Sequence, residues 1–197
     1  MAAPEERELG PGEWAIVGLI AEQPQHGWSL IQKLKPDGEI GAVWSLPRPS
    51  VYRALETLQQ RGLIEESRLE RGERGPYRMV FQTTRQGRAA LKAWLAAPVE
   101  HVREIRWLFL LKLVLAARAG IDREPMIRAQ RAVLEPSVAA LEEKLGQGSE
   151  AEDIYVRFRL DTTRAVLHFL DDLLEQGVDT ASSTASKRRV SSRAARG

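Results

Sequence analysis

The sequence holds few residues of the kinds that make or break covalent bonds. Cysteine is absent, which removes thiol nucleophiles, disulfides and Cys-ligated zinc. None of the three histidines, His26, His101 and His168, has a second histidine four residues away. No carboxylate is read at ligand spacing from them either, so no metal site is expected. There is no glycine-rich phosphate loop after a strand and no nucleophile elbow. The chain is therefore expected not to be an enzyme and to need no cofactor. What it does hold is a density of hydrogen-bond donors. Arg48, Ser50, Tyr52, Arg53 and Thr57 fall within ten positions, and Arg68, Arg71, Arg74 and Arg78 within eleven. Guanidinium and hydroxyl donors at that spacing suit phosphate oxygens and the acceptor edges of bases.

Those residues sit in a chain whose overall charge hides them. Its 197 residues include 29 Lys and Arg against 27 Asp and Glu, a net charge of +2. Residues 44–95 alone carry ten basic residues against five acidic, and residues 181–197 carry five basic and no acidic. The first 43 residues and residues 96–180 both lean acidic. A basic segment between acidic ones is the footprint of a localised anion-binding face. With 43% hydrophobic residues the chain can bury a core. Met1 to Leu9 lacks the apolar run of a signal peptide, and the apolar stretch Trp107–Ala117 is interrupted by Lys112. The expectation is a cytoplasmic protein with no membrane partner.

The elements that position the donors follow from periodicity. Pro11 and Glu13 start a first helix carrying Trp14, Val17, Gly18 and Ala21 at helical spacing, with Ile16 and Ile20 beside them; Pro24 stops it. A second helix is expected from about Gly27 to Leu34, followed by a loop marked by Pro36, Gly38 and Gly41. The third starts near Pro47–Pro49, with Val51, Leu55 and Leu58 toward the core. Its opposite side shows Ser50, Arg53, Thr57 and Gln60, with Tyr52 at the flank and Gly62 as cap. Leu63–Arg68 and Tyr77–Thr83 read as two strands around a turn, with Tyr77, Met79 and Phe81 on one face. Thr84 caps a fourth helix running to Leu95 through Ala90, Leu91 and Trp94. Three helices, a two-stranded ribbon and a further helix in this order describe a winged helix-turn-helix.

Beyond Pro98 the pattern is wholly helical. His101–Ala119 is apolar almost all round. Asp122–Leu145 repeats Ile127, Leu134 and Leu141 at sevens, with Pro136 expected to kink it. Glu152–Glu175 places Ile154, Phe158, Ala165, Phe169 and Leu173 on one stripe. From Asp179 the chain is Ser-, Ala- and Arg-rich and is expected to be disordered. The expected fold is mostly α with a small β-ribbon. The division is a winged helix-turn-helix DNA-binding domain over 1–97, a helical dimerisation domain over 98–178 and a basic tail over 179–197. The helical half has more apolar surface than its own helices can cover, so a homodimer is expected.

Three stretches resemble the PadR family of bacterial transcriptional regulators. They are LGPGEWAIVGLIAEQPQHGWSLIQKL from Leu9, LPRPSVYRALETLQQRGLIEE from Leu46 and GPYRMVFQTTRQGRAALKAWL from Gly75. The His26-Gly27-Trp28 step and the Val51-Tyr52-Arg53-Ala54-Leu55 core before Gly62-Leu63-Ile64 carry the likeness, with Trp28 standing where the family has Tyr or Phe. The resemblance spans about the first half of the chain. It implies a repressor that binds double-stranded DNA at an inverted repeat as a homodimer. Arg48, Ser50, Tyr52, Arg53 and Thr57 would lie on its recognition helix, and Arg71 and Arg74 on its wing. It also implies a small aromatic effector, for which Trp107, then Trp94 and Phe109, are the candidates, although Trp107 is read first as a core or dimer-interface residue. The competing reading is a winged-helix module whose basic face meets an acidic protein.

Overall fold

The structure is a computed structural model that describes residues 8–71 and 77–194, with side chains described as far as Gln176. It divides into two compact units, residues 1–97 with 104–122 and residues 98–103 with 123–197.

The first unit is built around α1 (Pro11–Glu22). Pro11 occupies its first turn, and Gly12 and Ala15 to Ile20 are all buried. The helix is thus covered on every side, not on the single stripe that its spacing suggests, because α3, α4, α6 and β3 all pack on it. β1 (Gln25–His26) leads into α2 (Gly27–Leu34), whose Leu30, Ile31 and Leu34 are buried as expected. His26 Nδ1 accepts from Ser29 N at 3.0 Å, which caps α2. The buried Gln25 side chain donates to Leu19 O and accepts from Ser29 Oγ, pinning the turn between α1 and α2.

α3 (Arg48–Gln60) buries Val51, Ala54, Leu55 and Leu58. It ends in Gly62, whose φ of +66° lets Gly62 N reach Gln59 O and Leu63 N reach Leu58 O. That pair of bonds closes the helix and aims the chain into β2 (Ile64–Arg71). β3 (Tyr77–Thr83) returns antiparallel, and β1 adds on its other edge, giving a three-stranded sheet in the order β1-β3-β2. The sequence showed only two strands because β1, at two residues, is too short to reveal a period. The shared face of Tyr77, Met79 and Phe81 is not the one most buried. Val80 is the buried residue at mid-strand, whereas Tyr77 is exposed and Met79 and Phe81 are half-buried. An irregularity between Glu66 and Arg68 shifts the pairing of β2 on β3. Thr84 Oγ1 accepts from Gly87 N at 2.9 Å and caps α4 (Arg85–Ala96) as expected.

After α5 (Val102–Glu104), Ile105–Phe109 forms a π-helical turn that runs into α6 (Leu110–Arg118). Residues 104–122 group with the first unit, although sequence had placed them within a separate segment from 98. Leu111, Leu113, Leu115 and Ala116 are buried there. Arg118 binds Glu22 and Glu39, both at 2.8 Å, joining the ends of α6 and α1 to the loop after α2. Burial works against its charge, but the two carboxylates outweigh that and hold its pKa above the ordinary value.

The second unit contains α7 (Glu124–Lys144) and α8 (Glu150–Ala194). Ile127, Leu134 and Leu141 are buried as the heptad spacing predicts. Gln130, fully buried on α7, donates to Val99 O at 2.9 Å and accepts from Val99 N at 2.7 Å. Both polar groups of Val99 are thereby satisfied inside the core. On α8 the buried positions are Leu160, Thr163 and Leu170, not the expected stripe. Ile154, Phe158 and Ala165 of that stripe are exposed, and Phe169 and Leu173 half-buried. The reason is that α8 has two apolar sides, and α7 covers only one. α8 also continues to Ala194, into the tail expected to be disordered. No Pro and no Gly interrupt the sequence between Val178 and Ala194.

Candidate nucleic-acid interface

Four buried residues on α3 determine what faces outward. With Val51, Ala54, Leu55 and Leu58 against the core, a rotation of about 100° per residue turns the opposite surface to solvent. Arg48, Pro49, Tyr52, Arg53, Glu56 and Gln60 are the exposed positions. Ser50 and Thr57, expected at the centre, are half-buried at its margin. Arg53 Nη2 donates to Ser50 Oγ at 3.3 Å, and Thr57 Oγ1 donates to Arg53 O at 3.0 Å. Each hydroxyl therefore first serves the helix itself. Glu56 and Gln60 stand in the middle of the face; Gln60 is where its spacing predicts, and helical geometry applied to the buried set would have found Glu56 as well.

Tyr52 is held by shape. A Cβ on Gly27 would lie 3.0 Å from Tyr52 Cε1, so the missing side chain lets α2 approach the ring. The Arg48 guanidinium lies over the Tyr52 ring, 5.8 Å from its centre. The ring thus meets both backbone and cation while 47% of the residue stays exposed. This leaves a positioned phenol beside a positioned guanidinium, a geometry suited to adjacent phosphate oxygens.

The ribbon is less uniformly basic than its sequence. Arg68 Nε donates to Glu70 Oε1 at 2.9 Å, so that charge is already compensated. Arg71, the last residue of β2, is exposed and pairs in register with Tyr77, which is 65% exposed. The register of Tyr77 places a second phenol beside Arg71. Arg74 lies outside the described residues.

The aromatic candidates separate into different surroundings. Trp94 stacks on Trp14 with centroids 5.0 Å apart, and Lys112 Nζ lies 4.8 Å from the Trp94 ring centre. Lys112 is itself only 3% exposed and donates to Ala97 O at 2.6 Å. Burial lowers its pKa to about 8, partly opposed by the Glu104 charge. Trp107 packs on Trp44, centroids 5.5 Å apart, and Trp44 Nε1 is buried with no acceptor among the described residues. Phe109 is fully buried and presents no surface to a ligand. Contrary to the spacing read from sequence, a carboxylate does stand near one histidine: Asp172 Oδ2 is 3.7 Å from His168 Nε2. Two ligands fall short of the three that a metal needs, and no larger group forms among the described residues. No helix in the described residues is long and apolar enough to cross a membrane.

The fold of the first unit is therefore a winged helix-turn-helix that presents a polar, arginine-bearing helix face. Residues 16–93 match the model of the Transcriptional regulator PadR-like family. "Probable transcriptional regulator Rv1176c" of Mycobacterium tuberculosis (strain ATCC 25618 / H37Rv) is 27% identical over 89 residues, which are 45% of this chain and 46% of that protein. The match thus spans about half the length of that curated relative. Among solved structures, Bacillus subtilis PadR in complex with operator DNA is 17% identical with a TM-score of 0.42, over 84% of this chain and 98% of the other. The smu.1604c protein of Streptococcus mutans UA159 is 19% identical with a TM-score of 0.40, over 83% and 98%.

Proposed function

We propose that this protein is a sequence-specific DNA-binding transcriptional regulator. It acts as a cytoplasmic homodimeric repressor on an inverted-repeat operator. One observation carries the reading: α3 turns Arg48, Tyr52, Arg53 and Gln60 to solvent together, with its whole apolar side buried. An α-helix fits the major groove, where such donors meet base edges and phosphates. Ser50 and Thr57 line the margin of that contact, and Arg71 and Arg74 reach the backbone from the ribbon. Two-fold symmetry comes from the second unit, where α8 leaves Ile154, Tyr155 and Phe158 at least 60% exposed. Covering them with the same face of a second copy gives an isologous contact. A dimer seated on an operator represses by excluding other proteins from that DNA.

Effector response belongs to the same reading. Trp107 and the unpaired indole N–H of Trp44 would receive a planar aromatic molecule bearing an acceptor. Trp94 is a second stacking surface, and Phe109 supports the site from the core without touching the ligand. Titration of the full chain against fragmented genomic DNA tests the function. A regulator enriches a short inverted repeat. A winged-helix module that binds an acidic protein enriches none, and that result would overturn the reading.

A further inference from the structure

Glu56 stands in the middle of the uncovered face of α3, and its carboxylate has no partner among the described residues. Tyr52 lies one turn before it, Gln60 one turn after, and Arg53 three residues before. Two nearby donors are engaged elsewhere. Arg53 Nη2 donates to Ser50 Oγ, and Gln59 Nε2 donates to Glu66 Oε1, each at 3.3 Å.

A solvated carboxylate is out of place on a helix that meets phosphates. It only accepts hydrogen bonds, and phosphate oxygens only accept as well. The floor of the major groove is where the polyanion offers donors, namely the amino groups of cytosine N4 and adenine N6. Adenine sets its N7 acceptor beside that amino group, against which a carboxylate oxygen is repelled. On that outer side cytosine carries only C5–H, with no acceptor of its own beside the amino group. Arg53, about 5–6 Å away along the helix face, has the fork that fits guanine O6 and N7 on a neighbouring pair.

We propose that Glu56 is a specificity-determining residue, accepting a hydrogen bond from the N4 amino group of one cytosine in each operator half-site. The proposal rests on the DNA-binding reading above. Selection from randomised duplexes tests it, using the full-length parent, Glu56→Gln and Glu56→Ala. The parent should hold cytosine at one position of each half-site. Glu56→Gln should move that position to adenine, whose N6 and N7 match a carboxamide. Glu56→Ala should lose preference there alone, with affinity for the cytosine site falling about 5- to 100-fold. Thermal unfolding should be unchanged in both variants, because Glu56 contributes nothing to the core. The proposal is overturned if both variants select the parent's motif unaltered, with affinity raised alike on every sequence. Glu56 would then be a charge that merely repels phosphate. A parent that selects no motif overturns the DNA reading itself, and this proposal with it.

Discussion

α3 and α8 each leave one face uncovered, and the two faces are opposite in kind. On α3 the uncovered residues are Arg48, Tyr52, Arg53, Glu56 and Gln60. Water satisfies them fully, so their exposure costs little and they remain available to a polar partner. On α8 the uncovered residues include Ile154 at 64%, Tyr155 at 60% and Phe158 at 67% exposure. Leaving a side chain such as Phe or Ile in water forgoes about 1.5–3 kcal/mol that burial would return. The α3 face is therefore stable alone and selective in what it accepts, whereas the α8 face is stabilised only by protein. On the proposed reading, recognition and association fall to different units, each to a helix whose other side is already packed.

That contrast can be broken at its strongest point first. Replacing Ile154 and Phe158 together by Asp should convert a dimer into a monomer of the 22.1 kDa chain mass, read by sedimentation equilibrium. Leu160, Thr163 and Leu170 are untouched, so helix content should persist. A dimer that survives both charges would remove this face from the interface. Next in size is Arg53→Ala. It should weaken operator binding about tenfold or more while leaving the dimer intact, since a bidentate base contact is worth about 1–3 kcal/mol. Gel shift alongside size-exclusion reads both quantities, and unchanged operator binding would take Arg53 out of the contact.

The smallest effect probes the same rule inside the core, at Lys112. Its folded pKa of about 8 lies below the ordinary value of 10.5. Between those values the unfolded chain binds more protons than the folded one, so stability should climb as pH rises through that window. Below it, Lys112 is charged in both states and its desolvation opposes folding. Lys112→Met should therefore stabilise the protein at neutral pH, by on the order of 1 kcal/mol, and flatten the rise above pH 8. Urea unfolding across that range checks it, and a variant that keeps the parental slope would rule out Lys112 as its source.

How much was legible varies with the local rule at work. α2, β3 and the Thr84 cap emerge at their observed positions because apolar period and cap chemistry act within a few residues. The helix–ribbon order gives the winged fold for the same reason. The centre of the α3 face was misplaced toward Ser50 and Thr57, because the burial of Ala54 rotates the helix and that contact is made by other elements. The exposure of Tyr77 was not legible because strand alternation cannot tell which side of β3 the core occupies. Glu56 went unnoticed because an acid in a basic segment reads as dilution until its position on the face is known.

By itself the sequence determined most of the elements, the stops near Pro24 and Gly62, and where positive charge concentrates. Those depend on backbone geometry, propensity and composition, which are local. Only the tertiary structure decided that α1 is buried on all sides, and that α8 keeps Ile154, Phe158 and Ala165 of its expected stripe exposed. Each depends on which surface a distant segment covers, and one chain's periodicity carries no record of that.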